Sequence, residues 1–326
     1  MVWGDKKHSS WQTGCMKKKC IIIHGPTGVG KSDAAVQLAL MHGGHIINGD
    51  VGQFYTPLSV GTAKPDWRSE KVPHHLFDLI DTPHNYTVVE YRTLVLEKME
   101  ELWQQGILPI IVGGSGFYLK SLFFPPVQEM HADDYSGTPV QEASWENLLH
   151  IDPERARAIN PHDHYRLARA FQLIAMGRKP SITKPVYQSL GGDVLLLWFQ
   201  RDREELYQRI NARVEHMLHE GWIEEVQRLI GTEWEPFLQH KKIIGYDLLY
   251  AYLTGKTELS FEEIKKIIAQ KTRNYAKRQH TFWRMMREFL SPHFVAPSRI
   301  EEISLSLQDS YTSLNILIDD FIKETE

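Results

Sequence analysis

The stretch CIIIHGPTGVGKSDAAVQLALMH, from Cys20 to His42, leaves little freedom in what this chain can fold into. Its middle, GPTGVGKS, fits the pattern G-x-x-x-x-G-K-[ST] through Gly25, Gly30, Lys31 and Ser32. Such a loop turns successive backbone N–H groups inward on an anion, and the helix that follows adds its positive end. The predicted cradle comprises Gly25, Thr27, Gly28, Val29, Gly30, Lys31 and Ser32, with Lys31 reaching the terminal phosphate and Ser32 offering its hydroxyl to Mg²⁺. From average composition, the four fixed positions arise by chance in roughly one chain of this length in a hundred. Context narrows the reading further. The β-branched run CIIIH predicts a strand over 20–24, and SDAAVQLALMH predicts a helix over 32–42 that stops at Gly43-Gly44. Strand, loop and helix in that order separate a phosphate site from a bare glycine-rich turn.

Strands and helices go on alternating. GHIINGD predicts a second strand over 44–50 that delivers Asp50 at its C-terminal end. Residues 87–105 predict a helix opened by a capping box, Thr87 with Glu90, and striped by Tyr91, Leu94, Val95, Met99 and Leu102. ILPIIV, 107–112, is the next strand and opens on Gly113-Gly114-Ser115-Gly116. Ligands of parallel sheets gather at the C-terminal ends of strands, where the phosphate loop, Asp50 and this second glycine-rich turn all fall. Between Phe123 and Tyr187 prolines, HADDYSGTP and polar helices around 145–149 and 164–176 predict an inserted lobe, because DVLLLWF (193–199) returns as a strand. An amphipathic pair follows over 203–219 and 222–230. A basic helix over 261–287 interleaves Lys271, Arg273, Lys277 and Arg278 with Tyr275, Phe282 and Trp283. The predicted class is α/β, a P-loop NTPase-like parallel sheet with helices on both faces and an inserted helical lobe. It is organised as a disordered basic tail over 1–19, a core over 20–122 and 190–290, a lobe over 123–189 and a C-terminal extension over 291–326.

Composition excludes several classes. With 326 residues, 42% of them hydrophobic, the chain can bury a sizeable core. A formal net charge of −4 does not advertise a nucleic-acid partner, which leaves that role to a local basic face. Cys15 and Cys20 support neither a disulfide framework nor a cysteine metal site. No apolar run reaches membrane-spanning length, and MVWGDKKHSSWQTGCMKKK lacks the apolar centre of a signal peptide, so a cytoplasmic protein is expected. Adjacent His74 and His75 rarely ligate one ion, and a loop role is expected for them.

An ordinary kinase or ATPase needs the loop, a carboxylate for Mg²⁺ and contacts to the γ-phosphate. Asp50 supplies a carboxylate, but VGQFYTPLSVGTAKP, 51–65, is an odd continuation for such an enzyme. Gln53, Phe54 and Tyr55 can grip an unstacked base by hydrogen bonding and stacking. Alternatively, the two aromatic rings belong to the core.

The blocks GPTGVGKS, NGDVGQFY, VGTAKP, VPHHLFD, VGGSGFYLKSL, RDREELYQRINARVEHMLHEGWIEEV, IIGY and AKRQHTFWR run from about Ile21 to Arg287. In that order and spacing they resemble the tRNA dimethylallyltransferase family, also called tRNA isopentenyltransferases. The resemblance implies transfer of a dimethylallyl group from dimethylallyl diphosphate to N6 of the adenosine immediately 3′ of the anticodon, in tRNAs reading codons that begin with U. It also implies that the loop, with Mg²⁺ on Ser32, holds a diphosphate leaving group, so that ATP need not be involved; one active site per chain makes a monomer the expected state.

In that reading Asp50 takes the proton of the amine, a weak nucleophile whose lone pair is delocalised into the ring. Lys31 and the loop stabilise the departing diphosphate, and Ser115, where the family usually has Thr, bonds the diphosphate or the amine. Gln53, Phe54, Tyr55 and Lys64 are expected around a base flipped out of the anticodon loop. Tyr165, Arg166, Arg169, Lys277, Arg278 and Gln279 are expected on the anticodon stem-loop.

The chain departs from the family pattern at Val51, where Ser is usual, at Tyr165, where Gln is common, and at Asp247, where a basic residue follows IGY. Lys242, Arg273 or Arg278 are the candidates to replace a diphosphate-binding arginine. The alternatives to tRNA prenylation are prenylation of free adenine nucleotides, RNA binding with impaired catalysis, and an ATP-using kinase. The insert and the basic helix argue against a small substrate.

Overall fold

In a computed structural model of the chain, the described residues are 17–68, 71–126, 144–306 and 311–324. They divide into two compact units, one built from residues up to 123 together with those from 189 onward, the other from 124–188. Most of the predicted tail, 1–16, and the segment HADDYSGTP lie outside the described residues.

The larger unit follows the alternation read from the sequence. Its first half runs β1 (Lys19–His24), α1 (Lys31–His42), β2 (Gly44–Asn48), β3 (His74–His75), α2 (Val88–Gln104), β4 (Leu108–Gly113) and α3 (Gly116–Phe123). In the smaller unit α4 (Trp145–Ile151), α5 (Pro153–Arg157) and α6 (His164–Ala175) enclose Leu148, Ala156, Ile159, Leu167 and Ala170. The larger unit resumes with β5 (Asp193–Arg201), α7 (Arg203–His219), α8 (Trp222–Leu229), α9 (Trp234–Lys241) and α10 (Tyr246–Leu253). It closes with α11 (Phe261–Leu290), β6 (Arg299–Leu305) and α12 (Thr312–Lys323).

Six parallel strands lie in the order β3-β2-β4-β1-β5-β6. In the centre, Ile21 of β1 stands between Ile110 of β4 and Leu195 of β5. Successive strand residues face opposite sides, and all six of β1 are buried, so both faces of the sheet are covered. This is the predicted α/β sheet with its P-loop order of strand, loop and helix.

Local chemistry sets the element ends. The predicted capping box opens α2: Glu90 N–H donates to Thr87 Oγ1 and Thr87 N–H to the Glu90 carboxylate, worth about 1 kcal/mol. β2 stops at Asn48, two residues short of the predicted end, because the Asn48 side chain accepts from Asp50 N–H and donates to the carbonyl of Leu76. That turn lifts Asp50 out of the sheet and onto the start of a 3₁₀ turn, Val51–Phe54.

Two expectations about the ends of the chain need correction. Lys19, assigned to a disordered tail, is buried at the start of β1, where its ammonium donates to the carbonyls of Phe321, Ile322 and Glu324 and neutralises the C-terminal end of α12. Residues after 290 are not an appendage to the core. β6 is an edge strand of the sheet, and Leu314, Ile318 and Phe321 of α12 pack into the same core as Ile21 and Leu38.

Candidate active site

A cavity of about 850 Å³ opens at the C-terminal ends of β1, β2 and β4. The phosphate loop contributes Thr27, Gly28, Gly30, Lys31 and Ser32, and the second glycine-rich turn contributes Gly113 and Gly114. Gly30 stands at φ 106° at the head of α1, a left-handed conformation that frees the loop to wrap an anion. The Val29 side chain is in the core, and Gly25 does not line the cavity. Their backbone shapes the loop instead.

Lys31 is half-buried with its ammonium turned onto the loop, donating to the carbonyls of Gly25 and Pro26 at 2.9 Å each. Burial pushes its pKa down to about 7, against the raising effect of Asp50. Behind it, burial and the charge of Lys31 push His24 down to about 3. The imidazole is therefore neutral at pH 7, and its Nδ1 bonds the Gly113 carbonyl at 2.9 Å, tying the end of β1 to that of β4.

Asp50 lines the cavity. Its Oδ1 accepts from Gly52 N–H at 3.1 Å, and among the described residues Oδ2 takes no hydrogen bond. Gln53 also lines the cavity, with its amide nitrogen 3.3 Å from the carbonyls of both Thr62 and Ala63. Ser115 is outside the lining; its carbonyl accepts from Leu119 N–H at the start of α3.

Several sequence expectations fail here for reasons of burial. Phe54 and Tyr55 are fully buried: Phe54 packs on Tyr86 and Tyr91, and Tyr55 on Trp234 and Phe237 with its hydroxyl on the His84 carbonyl. Neither ring can stack on a base without leaving the core. Lys64 does line the cavity, but its ammonium is held by an ion pair with Asp78 and by the carbonyls of Tyr55 and Thr56. Gln279 is buried between the two glycine-rich loops, accepting from Thr27 N–H at 2.9 Å and donating to the Gly114 carbonyl at 2.6 Å. It lines the cavity and braces the two loops, a buried place unlike the exposed one expected for a contact to the stem-loop.

Lys277 and Arg278, its neighbours on α11, are exposed. In the smaller unit Tyr165 and Arg166 are exposed at the start of α6, and Arg169 bonds Gln172. The candidates for the missing basic group lie away from the cavity lining: Arg273 bonds Asn211 and Gln270, and Asp247 pairs with Lys271 at 2.9 Å.

The cations that do reach the site come from α7, within RDREELYQRINARVEHM. Arg209 Nε donates to the Gly28 carbonyl at 2.9 Å, and Arg213 NH1 lies 3.3 Å from Thr27 Oγ1. Burial lowers the pKa of Arg213, opposed by Asp50 and Asp33. The apolar stripe of this helix predicts an amphipathic scaffold and no ligand. The sequence signal for the pair is their spacing, since positions four apart share one face of a helix. Tyr275 of α11 completes that wall, its phenol pushed up by burial and by the charge of Asp50.

The polar wall that follows Asp50 depends on a close approach. A Cβ on Gly61 would stand 2.1 Å from Trp222 Nε1 and 2.6 Å from Tyr246 Cε2. Gly61→Ala is therefore expected to cost about 1–3 kcal/mol and to lower the thermal midpoint, measured by calorimetry. An unchanged midpoint would mean that the loop does not sit against α8 and α10.

Comparison with known proteins identifies the family. The family model described as IPP transferase matches residues 53–286, and one described as isopentenyl transferase matches 18–72. The chain is 36% identical over 280 residues to a tRNA dimethylallyltransferase of Geobacter sulfurreducens, covering 82% of this chain and 89% of the relative. It is also 36% identical over 282 residues to that of Bacillus subtilis, covering 82% and 88%. Among solved structures, a full-length tRNA isopentenylpyrophosphate transferase of Bacillus halodurans superimposes with TM-score 0.64 at 28% identity, covering 94% of this chain and 97% of that one. A eukaryotic dimethylallyltransferase captured acting on tRNA gives TM-score 0.73 at 29% identity, with coverages of 94% and 79%. With a family model matched over 53–286 and relatives 36% identical across 82% of its length, the chain belongs to the tRNA dimethylallyltransferase (IPP transferase) family.

Proposed function

We propose that this protein transfers a dimethylallyl group from dimethylallyl diphosphate to N6 of the adenosine immediately 3′ of the anticodon, in tRNAs that read codons beginning with U. The observation that carries the reading is the convergence of the phosphate loop, Arg213 and the Asp50 carboxylate on one cavity. A diphosphate and an amine nucleophile need these two kinds of group facing each other.

In the reaction, the N6 lone pair attacks C1 of the dimethylallyl group as the C1–O bond breaks. The bonding electrons leave on the diphosphate, and the N6 proton passes to Asp50. Loop N–H groups, Lys31 and Arg213 hold the charge that grows on the leaving group. Ser32, beside Asp33 and Asp50 on the lining, presents the hard oxygen donors that suit Mg²⁺. When bound there with the diphosphate, the ion would neutralise part of that charge. Ser115 keeps a supporting place at the head of α3, and exposed Arg166, Lys277 and Arg278 suit phosphates of the anticodon stem-loop.

The test incubates the protein with labelled dimethylallyl diphosphate, Mg²⁺ and an unmodified anticodon stem-loop RNA. Label on N6 of the adenosine next to the anticodon supports the reading; label on free adenine nucleotides, or phosphotransfer from ATP, overturns it.

Lys31 gives this site a pH dependence. The ammonium is the form that binds diphosphate, and in the free protein it loses its proton as pH rises through about 7. Calorimetric affinity for dimethylallyl diphosphate is expected to fall by up to about tenfold per pH unit above that point. The comparison is with Lys31→Arg, whose charge persists and which cancels titration of the ligand itself. Parallel pH curves for the two proteins would refute this.

A further inference from the structure

Glu225 of α8 is 3% exposed, and its carboxylate is wholly engaged. All its partners are protein donors: Oε2 accepts from the N–H groups of Ser59 and Val60 at 2.8 and 2.7 Å, and Oε1 from Gly61 N–H at 3.1 Å and the Tyr246 hydroxyl at 2.6 Å. Three consecutive amides on one buried anion fix the loop as a rigid body. Burial and the charge of Glu225 hold the Tyr246 phenol well above its ordinary value, so it remains a donor. The clamped loop then carries an alanine, Ala63, at φ 48°, a conformation that alanine seldom adopts and that its surroundings have to impose.

The carbonyls of Thr62 and Ala63, at the end of that loop, both meet the Gln53 side chain 3.3 Å away. Two carbonyl oxygens can be met only by the amide NH₂, which fixes which end of Gln53 is left over. We propose that Glu225 is a positioning residue for base selection: through the 59–63 loop it holds the Gln53 amide so that its oxygen, an acceptor, is presented to the target base. With the Asp50 carboxylate on the same cavity, the base then meets two acceptors. An adenine N6 amine can donate to both, whereas a purine with oxygen at position 6 would set its carbonyl against them. The inference rests on the tRNA-prenylating reading above and adds to it how the site tells adenine from a 6-oxopurine.

The test is competition. Prenyl transfer to an adenosine stem-loop is measured with a stem-loop carrying inosine at the target position as inhibitor, and the inhibition constant is compared with the dissociation constant of the adenosine RNA, measured by binding without dimethylallyl diphosphate. Wild type is expected to disfavour inosine by at least about tenfold, the cost of one unpaired buried polar group. In Glu225→Gln the ratio falls toward unity while KM for dimethylallyl diphosphate stays put. In Tyr246→Phe, which removes one of the four clamping donors and little volume, it falls by about threefold. Wild-type discrimination retained in Tyr246→Phe and in any folded Glu225→Gln, with only kcat and thermal midpoint reduced, would make Glu225 purely structural and overturn the proposal. So would a wild-type ratio near one. If wild type transfers no label to the adenosine RNA at all, the parent reading fails first, and this inference falls with it.

Discussion

Replacing Asp50 with alanine is expected to lower kcat for prenyl transfer by about 10²- to 10⁴-fold, the range of a lost general base. The carboxylate has two duties that can be separated. Oδ1 accepts from Gly52 N–H and opens the 3₁₀ turn, while Oδ2 takes no hydrogen bond among the described residues. Asp50→Asn keeps an oxygen for Gly52 but is a poor proton acceptor. It is expected to match Asp50→Ala in kcat while retaining the wild-type thermal midpoint. Single-turnover kinetics and calorimetry on the two variants check this. If Asp50→Asn keeps wild-type kcat, the base lies elsewhere and Asp50 only shapes the turn.

Arg213→Ala is the second large effect. Its guanidinium, half-buried in the site beside Thr27, faces the charge of Asp50 and Asp33. Losing a charged donor to a phosphate is expected to reduce kcat/KM for dimethylallyl diphosphate by about 10²-fold, divided between a higher KM and a lower kcat because the leaving group gains charge in the transition state. Arg213→Lys should recover only part, since an ammonium lacks the planar fork. Steady-state kinetics with varied diphosphate substrate, at saturating RNA, reads the division. Arg213→Ala with unchanged kcat/KM would move the diphosphate away from α7.

These two residues also show what could be read early and what could not. Asp50 was legible because its cause is local: a short β-branched run ends, and the next polar residue is delivered beside the phosphate loop. Arg213 was not legible as a ligand. It sits 186 positions from Thr27, on a helix whose pattern predicts only an apolar face, and nothing in that pattern says which polar residue turns toward a distant loop. Phe54 and Tyr55 illustrate the opposite error. Aromatic residues after a site carboxylate suit base stacking, but partners from α2, α8's successor α9 and the 84–86 stretch enclose them completely.

The ends of the chain follow the same rule. Lys19 looks like the last residue of a basic tail until α12, some 300 residues later, brings three carbonyls to it. No local signal announces that meeting.

The phosphate loop, the strand and helix order, the caps and the family all follow from the order of residues alone. Each of these depends on residues within one or two turns of one another, where backbone geometry and side-chain period act directly. Packing of the whole chain is what brings Arg209 and Arg213 to the phosphate loop, sets Gln279 between two loops and pairs Lys64 with Asp78. A buried polar group takes whichever partner packing brings within 3 Å, and that partner is chosen by the whole fold rather than by its neighbours in the chain.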